Sequence, residues 1–318
     1  MNLPIIFMYS GQGSQYYQMG RNLFDENITF KNALLNADKI YNEITGSSIL
    51  SVLYDEAFRN QPLSQTLVAH PAIFMIEYAL TEALRAKHIV PDMVLGTSLG
   101  EFVAAVVAGV INFESALYAV IKQAEFLERC PTGGMLAILD TPSLYQSQAY
   151  LYENSELAAI NFNSHFLVAG SNEKLQFIIK KLNENNILSQ MVTVSRPFHS
   201  SVIDSAKEPF LNSIENLVIN DPTLPYISCE KGGILHSIKN DHFWNIARKP
   251  ILFQSAIEQL EKMQPAIYID LGPSGTLATF VKYNLLPGSQ SSQYAILTPF
   301  ANDIKNLETV SNLLIIRK

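Results

Sequence analysis

Residues 91–105 read PDMVLGTSLGEFVAA, and this stretch decides the fold. The apolar run before Gly96 is typical of a buried strand, and helical spacing begins at Glu101. Ser98 therefore falls on the turn between strand and helix, with Gly96 and Gly100 two positions to either side. Glycines at these positions let the strand and the helix approach each other closely. The pattern predicts a strand-turn-helix unit of an α/β fold.

The position of Ser98 predicts a nucleophile. A serine on such a turn presents its hydroxyl at the carboxyl edge of the sheet, and the amide of Leu99 at the helix start faces any anion formed there. This geometry would supply one donor of an oxyanion hole. The Gly-x-Ser-x-Gly pattern alone also fits an ordinary junction between a strand and a helix, and this alternative stays open at this point.

The composition is that of a globular protein. The 318 residues can form one large domain, or a large domain that carries a smaller insertion. A hydrophobic content of 48% with 16% charged residues excludes a disordered chain, and no uninterrupted apolar run approaches the roughly 20 residues that span a bilayer. The net charge is −7, and the 22 Lys and Arg residues are scattered. This pattern argues against nucleic acid and an anionic membrane as partners.

The N-terminus and the cysteines indicate the compartment. The stretch from Met1 to Met8 lacks basic residues and a small-residue cleavage site, so we expect a mature, cytoplasmic protein. The two cysteines, Cys130 and Cys229, lie far apart, which predicts reduced thiols without a disulfide framework. No group of His, Cys, Asp and Glu residues has the spacing of metal ligands, so no metal is expected.

A change of pattern after residue 131 predicts a second, smaller unit. The spacing of apolar residues indicates strand, helix, strand, strand, helix and strand over residues 135–139, 142–152, 157–162, 165–169, 172–185 and 189–194. This βαββαβ order is the ferredoxin-like split motif. We therefore expect an α/β protein with a large α/β-hydrolase-like body that has a parallel sheet, residues 1–131 and 196–318, and an inserted ferredoxin-like subdomain, residues 132–195.

Two helical regions precede the serine. Apolar residues at three- and four-residue spacing predict helix from Met19 to about Tyr54. The stretch from His70 to Leu84 is apolar nearly all round, which predicts a central buried helix with Pro71 in its first turn. His70 would then satisfy the start of that helix rather than bind a ligand.

A serine hydroxyl becomes nucleophilic only when a base takes its proton, so Ser98 needs a histidine nearby in the fold. Of the six histidines, His199 lies where the inserted subdomain would rejoin the body, which favours it as the base. The same position fits a residue that merely caps the following helix. In an α/β-hydrolase the histidine comes last and near the C-terminus, but the last histidine here is His242. The chain order therefore disfavours the hydrolase family.

Four motifs, in this order, resemble those of the malonyl-CoA:acyl carrier protein transacylase superfamily over essentially the whole chain: Gly11-Gln12-Gly13-Ser14-Gln15, Gly96-Thr97-Ser98-Leu99-Gly100-Glu101, Arg196-Pro197-Phe198-His199 and Leu271-Gly272-Pro273. The resemblance implies that Ser98 is the acylated nucleophile and His199 the general base. It also implies an oxyanion hole formed by Gln12 and the Leu99 amide. The family holds its histidine with Asn or Gln, often through the backbone carbonyl, and Asn245 is the candidate here.

Two positions depart from the family pattern. Thr97 stands where the family usually has a histidine, and Gln123 stands where members that use malonyl groups carry an arginine that binds the malonyl carboxylate. A neutral amide lacks the charge and the fork of a guanidinium, and an unpaired buried carboxylate costs several kcal/mol. We therefore expect an uncharged acyl group, in a pocket shaped in part by Phe198. An alignment shifted by one helical turn would instead bring Arg129 into the site.

Standalone relatives without this arginine resemble the trans-acting acyl hydrolases of trans-acyltransferase polyketide synthases. The first hypothesis is therefore a hydrolase that releases uncharged acyl groups from an acyl carrier protein through an acyl-Ser98 intermediate. The second is an acyl- or malonyl-CoA:acyl carrier protein transacylase, and the third is a non-catalytic docking subunit. The resemblance implies no cofactor beyond the phosphopantetheine of the carrier protein or of CoA. We expect a monomer whose partner is the carrier protein.

Overall fold

A computed structural model describes residues 3–59 and 63–315, so Met1 and Asn2 of the N-terminal stretch lie outside it. The strands are β1 (Ile5–Tyr9), β2 (Met93–Gly96), β3 (Gly134–Ile138), β4 (Glu156–Phe162), β5 (His165–Gly170), β6 (Ser189–Met191), β7 (Tyr226–Ser228), β8 (Gly233–Leu235), β9 (Ile267–Asp270) and β10 (Ser292–Ala295). The α-helices are α1 (Arg21–Glu26), α2 (Ile28–Thr45), α3 (Ile49–Tyr54), α4 (Thr66–Arg85), α5 (Gly100–Val107), α6 (Phe113–Leu127), α7 (Ser143–Ser147), α8 (Ala149–Tyr152), α9 (Asn172–Glu184), α10 (Lys207–Ser213), α11 (His242–Arg248), α12 (Phe253–Met263), α13 (Thr276–Asn284) and α14 (Asp303–Ile315). Two 3-10 helices cover Glu56–Phe58 and Ser201–Ala206.

The larger sheet has six strands in the order β10-β9-β1-β2-β7-β8. Neighbouring strands are parallel except β7 and β8. Strands β1, β2 and β9 are largely buried apolar runs, as expected for a parallel sheet covered on both faces. Because Tyr9 pairs with Gly96 and Met8 with Asp270, the carboxyl ends of these three strands lie side by side. The loops that follow them meet at one edge of the sheet.

The smaller sheet is antiparallel, with the order β4-β5-β3-β6. Its elements follow the predicted βαββαβ order, so the predicted fold class is confirmed. Alternate residues face opposite sides of this sheet: Leu136 and Val168 pack with α9 in a core of their own, whereas Ala137 and Leu167 belong to the core of the body. The domain boundaries drawn at residues 131 and 195 stay a prediction.

Helices α1 to α3 replace the single helical region predicted from Met19 to Tyr54. Asn27 ends α1 and caps α2, because its side-chain oxygen accepts from the amide of Phe30 at 2.9 Å. Gly46 ends α2 with a φ of 72°. The apolar spacing continues across these caps, which is why spacing alone indicated one region.

Helix α4 begins at Thr66, so Pro71 lies inside it and not in its first turn, and the predicted start was wrong. Pro71 lacks the N–H that would donate to the carbonyl oxygen of Leu67, and the hydroxyl of Tyr41 donates to that oxygen at 3.3 Å instead. Pro71 is tolerated inside the helix because a side chain from α2 bonds the carbonyl oxygen that the proline cannot. The helix is long and apolar enough to cross a membrane by length and composition, and 78% of that apolar window is buried inside the protein.

Candidate active site

Ser98 occupies the turn between β2 and α5, where the motif predicts it. Its φ of 52° lies in the left-handed region, which residues other than glycine rarely adopt. A Cβ at Gly96 would lie 2.4 Å from the Cα of Glu101, and a Cβ at Gly100 would lie 2.2 Å from the carbonyl oxygen of Tyr9. Both positions therefore require glycine, because strand, turn and helix pack backbone against backbone.

His199 faces Ser98 from the loop before the second 3-10 helix. Its Nε2 lies 3.1 Å from Ser98 Oγ. Its Nδ1 lies 2.6 Å from the carbonyl oxygen of Lys249, and because a carbonyl only accepts, Nδ1 carries the hydrogen and donates it. Nε2 is then free to accept the hydrogen of the serine hydroxyl. The backbone amide of His199 also donates to the carbonyl of Ala247 at 2.8 Å, so the end of α11 holds the histidine at two points.

Burial sets the protonation state of His199. The residue is 2% exposed, and burial lowers its pKa to about 4. The hydrogen bond to Lys249 raises the pKa and the charge of Arg248 lowers it, both by smaller amounts than burial. The imidazole is therefore neutral at neutral pH and available as a base.

The prediction that Asn245 holds the histidine is wrong. The backbone carbonyl of Asn245 accepts the amide of Lys249 at 2.7 Å, so it is occupied at the end of α11. The chain leaves the helix at Lys249, whose φ of −86° and ψ of 154° are extended. The carbonyl of Lys249 is consequently the one that accepts from His199.

Gln12 approaches Ser98 with its backbone, because its side chain is engaged elsewhere. Its Nε2 donates to the carbonyl of Ser64 at 3.0 Å, and its Oε1 lies 2.8 Å from a nitrogen of His70. The backbone amides of Gln12 and Leu99 donate to no other described residue. A Cβ at the preceding Gly11 would lie 3.0 Å from the Cβ of Ser98, so this loop packs directly on the turn. The two amides are the candidate donors of an oxyanion hole.

A cavity of about 220 Å³ adjoins Ser98. Thr97 and Gln123, the two departures from the family pattern, line it together with Phe198, which was predicted to shape an acyl pocket. The hydroxyl of Thr97 donates to the carbonyl of Tyr9 at 3.2 Å. Four apolar residues of the smaller sheet also line the cavity: Met135, Ala137, Ala159 and Leu167. The cavity therefore lies between the nucleophile turn and the face of the smaller sheet that belongs to the body.

Within the described part of the chain, no Lys, Arg, Asp or Glu residue lines this cavity. Gln123 is 1% exposed, and its Nε2 donates to the carbonyl of Phe243 at 2.7 Å. Arg129, the alternative cation, is exposed, and its guanidinium lies 5.2 Å from the ring centroid of Phe126. The described residues thus give the cavity polar groups but no Lys or Arg side chain.

The cavity residues that the sequence analysis missed include two histidines and an asparagine. His70 is 4% exposed, and its ring centroid lies 5.6 Å from that of Phe198. Asn161 and His165 from β4 and β5 line the cavity and contact each other at 3.0 Å. For His70 the available signal was a polar side chain within a largely apolar stretch of sequence, because such a group needs a buried partner.

Glu101 links the nucleophile helix to α11. Its carboxylate is fully buried and lies 2.9 Å from Nε2 of His242, the first residue of α11. It also accepts from the hydroxyl of Ser228 at 3.0 Å. Since α5 follows Ser98 and the end of α11 holds His199, this buried contact ties together the elements that carry nucleophile and base.

No group of three or more His, Cys, Asp or Glu residues stands in a position to hold a metal ion anywhere in residues 3–59 and 63–315. Cys130 and Cys229 are both buried and free.

Residues 6–316 match the family model of the acyl transferase domain. The chain belongs to the acyl transferase family. The resemblance identified from the four motifs is thereby confirmed. This acyl transferase is 44% identical over 313 residues to the polyketide biosynthesis acyltransferase homolog PksD of Bacillus subtilis strain 168, covering 98% of this chain and 96% of that protein.

Solved structures share the fold of this acyl transferase. The MCAT of Streptococcus pneumoniae has a TM-score of 0.80 and 26% identity, over 96% of this chain and 99% of that one. The acyltransferase domain from the second module of the salinomycin polyketide synthase has a TM-score of 0.88 and 23% identity, over 97% of this chain and 72% of that one.

Proposed function

We propose that this acyl transferase releases uncharged acyl groups from the phosphopantetheine thiol of an acyl carrier protein in polyketide biosynthesis, through an acyl-Ser98 intermediate that water hydrolyses. The observation that carries the choice of acyl group is the cavity wall at Ser98, which has Gln123 and no cation among the described residues. The assignment to polyketide biosynthesis rests on the similarity to the Bacillus subtilis acyltransferase homolog, 96% of whose length the chain covers.

The first half of the reaction acylates Ser98. As Oγ attacks the thioester carbonyl carbon, Nε2 of His199 takes its hydrogen across the 3.1 Å contact. The amides of Gln12 and Leu99 would donate to the carbonyl oxygen as it becomes negative. The C–S bond then breaks, and His199 gives the proton to the leaving thiolate. The products are acyl-Ser98 and the free thiol of the carrier.

Water takes the place of the thiol in the second half. His199 accepts a proton from water as its oxygen attacks the ester carbonyl carbon. The bond to Ser98 Oγ breaks, and the proton returns to Oγ. The free acid leaves and Ser98 is ready for another carrier.

A malonyl group is a poor substrate for this cavity. Its free carboxylate would be buried beside Gln123, whose neutral amide carries no charge and already donates one of its two N–H groups to the carbonyl of Phe243 at 2.7 Å. An unpaired buried carboxylate costs several kcal/mol, and about 1.4 kcal/mol corresponds to a factor of ten. Acetyl and longer uncharged acyl groups avoid this cost.

Transfer to a second thiol is the alternative, and membership of the acyl transferase family favours it. The contact between Ser98 and His199 argues against a non-catalytic docking subunit. Either reaction needs no cofactor beyond the phosphopantetheine that carries the acyl group. A cytoplasmic monomer remains the expectation for both.

The test incubates the full chain with acetyl-, butyryl- and malonyl-carrier protein in the presence of a second, unloaded carrier protein. Mass spectrometry follows free acid, transferred acyl group and acyl-Ser98, and the Ser98→Ala variant provides the background. We expect free acid from the uncharged acyl groups and at least about tenfold slower turnover of malonyl. Efficient transfer with negligible hydrolysis would establish the transacylase, and no labelling of Ser98 would establish the docking subunit.

A further inference from the structure

We infer that His70 positions the backbone amide of Gln12 for the oxyanion hole by holding the Gln12 side chain, and so sets the rate at which Ser98 is acylated. This role rests on the proposed function, because it requires that Ser98 is acylated. His70 acts through Gln12 and is therefore a positioning residue.

Both ends of the Gln12 amide are fixed. His70 Nε2 lies 2.8 Å from Gln12 Oε1, and because an amide oxygen only accepts, His70 must donate the hydrogen. At the other end, Gln12 Nε2 donates to the carbonyl of Ser64 at 3.0 Å. The side chain of Gln12 is thus held between α4 and the segment that precedes this helix.

Holding Gln12 fixes the loop at the point where it touches the nucleophile turn. Gly11 leaves no room to spare, because a Cβ there would lie 3.0 Å from the Cβ of Ser98. The start of the loop is held by the same helix, since the amide and the hydroxyl of Ser10 donate to Oε1 of Glu77 at 2.7 and 2.8 Å. His70 and Glu77 are spaced by about two helical turns, which places both on one face of α4. Helix α4 therefore holds the loop at two points, at Ser10 through Glu77 and at Gln12 through His70.

His70 is suited to donating a hydrogen bond and not to transferring protons. Its Nδ1 is buried, and none of the described residues forms a hydrogen bond with it. Burial lowers the pKa of His70 to about 3, because a charged ring would leave an Nδ1–H unpaired in an apolar environment. The ring is consequently neutral at neutral pH, with its hydrogen on Nε2.

The test compares His70→Leu with His70→Gln in the full-length protein. The leucine removes the donor, whereas the glutamine amide can place an N–H close to the position of Nε2. Single-turnover acylation of Ser98 by acetyl-carrier protein is followed by intact-protein mass spectrometry over a range of substrate concentrations. We expect His70→Leu to lower the rate constant at saturation about tenfold with little change in the half-saturating concentration, because the oxyanion donor is misplaced. His70→Gln should recover most of that loss, and His236→Leu, at an exposed histidine in the loop after β8, is the control.

A second variant makes the test independent of how well leucine packs at position 70. Gln12→Met keeps the backbone amide of residue 12 but removes the side-chain bonds to both His70 and Ser64, so it should lose at least as much as His70→Leu. The double variant should lose no more than Gln12→Met. Acylation by either single variant at the wild-type rate, or equal losses in His70→Leu and His70→Gln, would overturn the role of His70. If the wild-type protein is not acylated at all, the proposed function fails instead.

Discussion

Ser98 and His199 both adopt left-handed backbone, with φ values of 52° and 61°, and their side chains meet at 3.1 Å. Each conformation is imposed by its surroundings: Gly96 and Gly100 allow the sharp turn at Ser98, and the carbonyl of Ala247 accepts from the amide of His199. Such conformations cost of order 1–3 kcal/mol each and persist where packing determines them. The contact between nucleophile and base is therefore maintained at the expense of stability.

Relief of the strain at Ser98 should stabilise the protein. We expect Ser98→Gly to be about 1 kcal/mol more stable than Ser98→Ala, because alanine at this φ keeps the steric conflict that glycine avoids. Urea denaturation measures the difference, and neither variant should be acylated. The same pair of substitutions at Ser255, exposed within α12, should give the opposite sign, since glycine is unfavourable inside a helix. Equal signs at the two positions would contradict the strain.

An arginine at position 123 should allow the cavity to bind the free carboxylate of a malonyl group. We expect Gln123→Arg to raise acylation of Ser98 by a malonyl thioester at least about tenfold relative to an acetyl thioester, because a guanidinium pairs with a carboxylate through two hydrogen bonds. Competition between the two thioesters, read by intact-protein mass spectrometry, measures the ratio. Lys122→Arg is the matched control, since Lys122 pairs with Glu125 and does not line the cavity. A wild-type protein that already prefers malonyl would refute the choice of acyl group.

The side chain of Asn245 should be dispensable. The carbonyl of Lys249 holds the imidazole, so Asn245→Ala should acylate Ser98 within about twofold of the wild-type rate. His199→Ala should lose at least about a hundredfold, because general-base catalysis is removed. A loss in Asn245→Ala close to that in His199→Ala would show that Asn245 orients the base after all.

The site residues that could be predicted from the sequence are those that lie within a recognisable short motif. Ser98 is marked by the glycines on either side of it, and His199 by a short motif at the point where the smaller unit was predicted to rejoin the body. Lys249 could not be predicted, because it contributes a backbone carbonyl that any residue would supply. His70 was assigned to a helix start because Pro71 suggested one, and its partner Gln12 lies 58 positions away in sequence.

The fold was predictable where the apolar pattern is strong and less so near the C-terminus. The βαββαβ order was visible because β3, β4 and β5 are largely apolar runs and α9 is amphipathic. Strand β10 was missed, because all four of its residues are only partly buried and it lies at the edge of the sheet. Helix α13 was missed as well. Strand β10 pairs with β9, and α13 packs against β9. Both elements are therefore stabilised by tertiary contacts that a local sequence pattern does not reveal.

The acylation rate should stay constant down to pH values well below 6.5, where an ordinary histidine titrates. Because the pKa of His199 is lowered to about 4, the imidazole accepts the serine hydrogen above that pH and loses this ability below it. With an uncharged acetyl thioester as substrate, the acylation rate constant should be flat from about pH 5.5 to 8 and fall with a midpoint near 4. Unchanged fluorescence of the buried Trp244 down to pH 4 would exclude unfolding as the cause. A midpoint near 6.5 would contradict the burial of the imidazole.

Acid should destabilise the fold through His70. The pKa of His70 is about 3 in the folded chain and about 6.5 when unfolded, so between these values the unfolded state binds one more proton. This histidine therefore makes stability fall as pH drops below 6.5, by about 1.4 kcal/mol per pH unit. Burial raises the pKa of Asp270 to about 6, which acts in the opposite direction and is common to wild type and variant.

His70→Gln should therefore lose less stability on going from pH 7 to pH 5 than the wild-type protein does, by roughly 2 kcal/mol. Urea denaturation at pH 7 and pH 5 gives the change in unfolding free energy for each protein, and the two changes are then compared. Any effect of glutamine on packing is the same at both pH values and cancels in this comparison. Between pH 7 and 8, where neither form of His70 titrates, the two proteins should respond alike. Parallel stability profiles from pH 5 to 7 would show that His70 binds a proton in the folded state, and hence that its ring is not the neutral donor that Gln12 requires.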